Sequence, residues 1–179
     1  MTDEKMYRFV PYELPRFPEP EMRNRAKEFA EHMKARRSVR HFSKEPVPLD
    51  VIDDCIRAAG LAPSGANRQP WTFCVITDGE TKRKIREAAE EEERELYEHR
   101  ISDEWREALA PLGTDADKPA LEDAPALIVL FRHAFDMEEG KKKTNYYTQE
   151  SVGIASGNFG CFGADVNHPA DHIMNRVFE

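Results

Sequence analysis

Ala124-Pro125-Ala126-Leu127-Ile128-Val129-Leu130-Phe131 is an unbroken apolar run of strand length. A strand without polar alternation is covered on both faces, so this chain must supply a layer on each side of it. A second run, Trp71-Thr72-Phe73-Cys74-Val75-Ile76-Thr77, is rich in β-branched and aromatic residues and also reads as a strand. Helical spacing dominates elsewhere. Met22, Ala26, Phe29, Ala30 and Met33 recur at steps of three and four after Pro20, and that helix ends near Arg36-Arg37-Ser38-Val39-Arg40. A second helix starts at Pro48, carries Val51, Ile52, Cys55, Ile56 and Ala59 as its buried stripe, and closes at Gly60 and Pro63. Helices around a few strands, with no alternating βαβ pattern, predict an α+β fold.

Thr77 and Glu80 fit a capping box that opens a helix over about 79–110. Its apolar residues, chiefly Ile85, Ala88, Ala89, Leu96 and Tyr97, are interrupted by Glu90-Glu91-Glu92-Glu93, so much of it is solvated or covers something other than the core. Gly113 to Pro119 reads as a loop, and Gly140-Lys141-Lys142-Lys143 as part of a polar loop leading to a last helix over about 146–158. Gly160-Cys161-Phe162-Gly163-Ala164-Asp165 is expected to break that helix. Pro11, Pro15, Pro18 and Pro20 make residues 1–20 an extended arm laid over a surface, such as a partner's.

Several function classes are disfavoured. A length of 179 residues against a typical domain of about 150 predicts one domain. The formal charge is 26 − 34 = −8, with no Lys/Arg block, which argues against a nucleic-acid binder. No apolar run approaches the roughly 20 residues a membrane span needs, and MTDEKMYRFV carries acids where a secretory signal has a basic and then an apolar region. Cys55, Cys74 and Cys161 form neither a disulfide framework nor a zinc ribbon. These features point to a cytoplasmic protein with no membrane or nucleic-acid partner. His168 and His172, with Asp165, Asp171 and Cys161 nearby, are too sparse a ligand set around Pro169, and no metal is expected.

Two segments could carry chemistry. Arg36, Arg37 and Arg40 surround Ser38, and guanidiniums this close suit a phosphate or an electron-rich ring. They equally suit a solvated helix end, where cations complement the helix dipole. In Pro63-Ser64-Gly65-Ala66-Asn67-Arg68-Gln69-Pro70-Trp71, Gly65 and Ala66 let a ligand approach bare backbone amides. An ordinary helix-to-strand turn has a similar composition.

Taken together, Arg-Arg-Ser-Val-Arg and Ala-Pro-Ser-Gly-Ala-Asn-x-Gln-Pro-Trp resemble the FMN-dependent nitroreductase superfamily. The resemblance also covers Pro11-Tyr12, Arg16-Phe17-Pro18, Glu45-Pro46-Val47-Pro48, Ala124-Pro125 and Gly140-Lys141-Lys142-Lys143 with Tyr146-Tyr147, about residues 10 to 158, and the acidic helix through Tyr97 and Trp105 narrows it to the iodotyrosine deiodinase-like branch. The resemblance implies helices around a central mixed sheet, FMN as cofactor, NAD(P)H as ultimate electron source and a homodimer whose arms cross to the partner. It places Arg36, Arg37, Ser38 and Arg40 at the FMN phosphate and pyrimidine edge, and Pro63, Ser64, Gly65 and Asn67 along the flavin. Gly65 and Ala66 would meet a substrate phenolate. Glu93 and Tyr97, four apart, share a helix face, and with Lys118 they would fold over the zwitterion of a halotyrosine.

The resemblance divides the chain into an arm over 1–20, a domain over 21–158 with a lid at about 90–118, and a divergent tail over 159–179. Beyond Asn158 the family's pattern is lost, which implies a C-terminally incomplete fold and leaves the threonine usually beside flavin N5 without a counterpart. The implied activity is reductive dehalogenation of a halogenated tyrosine. The alternatives are a general nitro- or quinone reductase and a catalytically impaired, truncated homologue.

Overall fold

The computed structural model describes residues 11–36, 38, 40–165 and 173–178; residues 1–10 of the arm, Arg37, and the His168, Asp171 and His172 trio lie outside them. Helix α1 spans Glu19–Ala35 and α2 spans Leu49–Gly60. Pro20 sits in the first turn of α1, where its missing N–H costs nothing, so the helix begins inside the segment assigned to the arm. Strand β1 is Trp71–Ile76 and helix α3 is Gly79–Glu95. The cap of α3 is Asp78, not Thr77: its carboxylate accepts from the Thr81 amide at 2.8 Å and the Thr81 hydroxyl at 2.7 Å.

The single helix expected over 79–110 is divided. A π-helical turn at Leu96–Arg100 follows α3, then α4 at Asp103–Leu109, capped by Ser102, then a 3₁₀ turn at Ala110–Leu112. Ser102 competes for the backbone as a cap does, which is why the chain leaves the helix there. A one-turn helix, α5 (Ala120–Asp123), leads into β2 (Ala126–Arg132).

The polar segment around Lys141–Lys143 is a β-hairpin. Strand β3 (Phe135–Glu138) pairs antiparallel with β4 (Lys141–Thr144). Glu139 (φ 50°) and Gly140 (φ 75°) are both left-handed, as a two-residue hairpin turn with the right twist requires.

Helix α6 runs from Thr148 to Asp165, past the expected break. Each helical glycine costs about 1 kcal/mol relative to alanine. Burial of Val152, Ala155 and Phe159 offsets this, with the Phe159 ring 6.1 Å from that of Phe73. Segment Ile173–Phe178, within the divergent tail, forms β5.

The sheet has the order β1-β2-β5, with β1 antiparallel and β5 parallel to β2. It is mixed, as expected. Trp71 pairs with Arg132 and Ile76 with Leu127, while Ala126 pairs with Ile173. Strand β2 is the buried centre. Ala126 and Ile128 pack on Val47, Ile52, Cys55, Ala59 and Phe159, the α2–α6 layer. Leu127 turns the other way, against Leu121, Ala124, Ile85 and Ala89 of the α3–α5 layer. The two-sided covering implied by the apolar run is present over residues 126–128 and at Leu130, whereas Phe131 at its end is 45% exposed. No helix among the described residues is long and apolar enough to cross a membrane.

Candidate functional site

Three of the five left-handed residues other than glycine among the described residues lie within 64–69. Ala66 (φ 51°), Asn67 (φ 52°) and Gln69 (φ 47°) are all left-handed without being glycine. Such conformations are uncommon for L-residues, and a cluster of them persists only where surrounding contacts over-determine it. Those contacts are visible. Asn67 N–H donates to Ser64 O (3.0 Å), Arg68 N–H to Gly65 O (3.1 Å) and Gln69 N–H to the Ser64 hydroxyl (2.9 Å). The Gln69 side-chain amide ties the turn to the Gly60 carbonyl at the end of α2 (3.1 Å). The Ala66 amide has no acceptor among the described residues, and Ala66 and Asn67 are exposed. The turn therefore offers an uncommitted donor from a rigid backbone.

Gly65 makes close packing possible on the inner side. A Cβ there would lie 2.7 Å from the Tyr146 carbonyl oxygen. Ser64 and Gly65 are half-buried, while Pro63 is exposed. Arg36 caps α1 in extended conformation, and Arg36, Ser38 and Arg40 are exposed on the segment between α1 and α2. Arg37 lies outside the described residues.

The lid residues form a second cluster. Lys118 Nζ lies 3.4 Å from Glu93 Oε2, with both side chains about four-fifths covered (18% and 20% exposed). The Tyr97 hydroxyl donates to Thr114 Oγ1 at 3.1 Å, and Arg106 holds the Tyr97 carbonyl at 2.7 Å. Glu93 and Tyr97 therefore both face the 114–118 loop, as their spacing implies. Tyr97 sits within the π-helical turn, a distortion that recurs at functional sites.

Beneath them Glu90, nearly buried, accepts from the Lys118 amide at 2.9 Å and from Arg86 at 2.7 Å. The Lys118 amide first, and Arg86 second, hold the Glu90 carboxyl below its usual range against the effect of burial. Arg86 continues to Glu122 at 2.7 Å, so the lid loop is fastened to α3 and α5.

Two residues that the motif reading passed over also hold the site. Arg68 occupies the variable position of the motif, and Asn145 lies just beyond β4. Arg68 reaches Glu138, Asp136 and Asn145 on or next to the hairpin. Their sequence separation leaves no local signal; only the acidic alternation Asp136-x-Glu138 marks the hairpin as a place for a cation.

Comparison with known proteins agrees with these features. The nitroreductase family model matches residues 33–160. Iodotyrosine deiodinase of Haliscomenobacter hydrossis is 51% identical over 150 residues, covering 83% of this chain and 68% of that protein. Iodotyrosine deiodinase 1 of Rattus norvegicus is 50% identical over 144 residues, covering 79% of this chain and 50% of the relative. The chain thus spans 50–68% of the length of these two relatives. A crystal structure of oxidized iodotyrosine deiodinase bound to FMN and 3-iodo-L-tyrosine superposes with a TM-score of 0.67 at 30% identity, over 77% of this chain and 70% of that one. An FMN-dependent nitroreductase from Clostridium difficile, at 20% identity and TM-score 0.56, shares the fold. With the strained turn and the clustered lid residues, these matches establish that the chain belongs to the nitroreductase family, in its iodotyrosine deiodinase branch.

Proposed function

We propose that this chain binds FMN and reductively dehalogenates a halogenated tyrosine. The observation that carries the reading is the pairing of Glu93 with Lys118 beside Tyr97: a carboxylate, a cation and a phenol on one lid. That set suits the ammonium and carboxylate of an amino-acid substrate, whereas a neutral nitroaromatic has nothing to place there.

The residues present fit FMN. Arg36, Ser38 and Arg40 are exposed donors close together in sequence between α1 and α2, suited to one terminal phosphate and the pyrimidine edge, with Arg37 assigned there by its place in the motif. Pro63, Ser64, Gly65 and Asn67 would line the ring, where the small side chains and uncommitted Ala66 amide leave room for it. Reduced FMN, when bound, supplies two electrons that, with one proton, replace the carbon–halogen bond by carbon–hydrogen and release halide. The chain's part is to bind and orient. Gly65 and Ala66 present an amide to the phenolate oxygen and stabilise charge there. Glu93 receives the ammonium, and Lys118 and Tyr97 receive the carboxylate. The lid excludes water above the ring. NAD(P)H is the reductant we assign, and the cytoplasm the compartment.

The purified chain, or the chain incubated with flavin and desalted, should release FMN on denaturation and chromatography. Recovery of FAD, or of no flavin, overturns the assignment. Affinity for 3-iodotyrosine should then exceed that for a neutral nitroaromatic; the reverse would favour a general nitro- or quinone reductase.

We further propose a homodimer. The apolar stripe of α1 is only partly used within the chain: Phe29 is 62% exposed and Met22 51%. Leu61, 85% exposed, and Phe29 line the same cavity of about 920 Å³ between α1, α2 and α6. Contiguous apolar surface of this kind marks an association face. Light scattering should give twice the chain mass; a stable monomer that retains flavin would refute it.

A further inference from the structure

We propose that Arg68 is a positioning residue, which fixes the Ser64–Gln69 backbone so that the Ala66 amide is presented to the substrate phenolate. The inference rests on the dehalogenase reading but adds a residue to it. Every nitrogen of the guanidinium is engaged away from the turn. Nε donates to Asn145 Oδ1 at 3.1 Å, Nη1 to Glu138 Oε1 at 2.7 Å, and Nη2 lies 3.3 Å from Asp136 Oδ2. Asn145 is buried and fixed at both ends: its side-chain amide donates to His133 O (3.1 Å) and its backbone N–H to Ala134 O (3.0 Å). Lys143 donates to Glu138 from the facing strand. The anchor is therefore the β3–β4 hairpin as a unit.

Arg68 itself is right-handed (φ −76°, ψ −20°), while its neighbours Asn67 and Gln69 are left-handed. Pinning its side chain therefore pins the residue between the two reversals. On the other side Gly65 rests against the Tyr146 carbonyl, next to Asn145. The turn is thus gripped twice by one stretch of chain, once through Arg68 and once through Gly65. A left-handed cluster needs this kind of external constraint, because the local preference of Ala66 and Gln69 opposes it, and only Asn67 tolerates it readily. A planar fork with three separate acceptors is a task lysine cannot perform.

The test uses the full chain, loaded with FMN for binding and without it for hydrogen exchange. Two variants remove the clamp from opposite ends: Arg68→Met, and Asp136→Ala/Glu138→Ala, which keeps Arg68 but deletes both carboxylate acceptors. Each should speed amide exchange at residues 67–69 at least tenfold relative to the sheet amides. With FMN held in saturating excess, each should raise the dissociation constant of 2-iodophenol tenfold or more. Arg68→Lys should not restore the parent value. Exchange and iodophenol affinity within twofold of the parent overturn the proposal. Equal loss of protection across the whole chain also overturns it, since Arg68 would then only hold the fold together. A parent chain that binds no FMN refutes the dehalogenase reading, yet the exchange measurement still decides whether Arg68 fixes the turn.

Discussion

Gly65→Ala should destabilise the chain by about 1–3 kcal/mol, the range for forcing a methyl into packed structure. It should also remove most of its flavin and phenolate binding. The reason is contact and not backbone conformation: the added Cβ would meet Tyr146 O at 2.7 Å, and that oxygen is main chain. Tyr146 can yield little, because Asn145 before it is buried and hydrogen-bonded on both sides. Tyr147 after it is already left-handed (φ 52°), with its carbonyl accepting from the Ser151 hydroxyl at 2.5 Å. The turn must therefore move instead, carrying the Ala66 amide with it. At this chain length each kcal/mol corresponds to roughly 2–4 °C in Tm. Gly79→Ala is the control, because nothing lies within 4 Å of a Cβ there; at the first position of α3 it should leave stability unchanged or raise it by up to about 1 kcal/mol. Equal melting temperatures and equal flavin retention for the two variants would refute the role given to Gly65.

The contrast between readable and unreadable features follows from what each depends on. The α2 stripe was legible because Ile52, Cys55 and Ala59 repeat with the helix and meet β2 directly. Strand β2 was legible because a strand covered on both faces has no polar positions. Strand β4 was not: Lys141, Lys142 and Lys143 are exposed on both faces, so no alternation exists to be read. Its order comes from pairing with β3 across Glu139-Gly140, and from Lys142 resting 3.9 Å from the centre of the Phe135 ring.

The glycines of α6 hid its length in the opposite way. Local propensity argued for a break, and tertiary burial of Phe159 overrode it. At the site, small residues between two prolines marked the turn but not its left-handed run. Nothing in Ala66, Asn67 or Gln69 demands that conformation. It is imposed from Asn145, Asp136 and Glu138, some seventy residues onward, which is also why Arg68 went unmarked.

The lid should show the largest change in ligand affinity. Glu93→Gln/Lys118→Ala is expected to weaken 3-iodotyrosine binding by at least a hundredfold in the FMN-loaded protein. Each charge-assisted hydrogen bond to the zwitterion contributes roughly 1.5–3 kcal/mol, and the double variant removes one at each end. Without ligand, Glu93 and Lys118 lie 3.4 Å apart, and the Lys118 ammonium also donates to the Asp115 carbonyl. The substrate must exchange that contact for its own two, so the net gain depends on both partners being present. The single variants should therefore be non-additive, each losing most of what the double loses.

The loop does not have to be built on binding. Lys118 is already tied to Glu90 through its amide, and Tyr97 to Thr114. Ordering roughly 30 free residues would cost about 1 kcal/mol or more each and could not be met by one small ligand. Proteolysis of segment 90–118 should consequently be slow even without ligand and slower with 3-iodotyrosine. 2-Iodophenol, which has the phenol but no zwitterion, is the discriminating probe: its affinity should be unchanged in the double variant. A matching loss for 2-iodophenol would show that the substitutions collapse the site. Undiminished 3-iodotyrosine binding would show that Glu93 and Lys118 are a structural ion pair and nothing more.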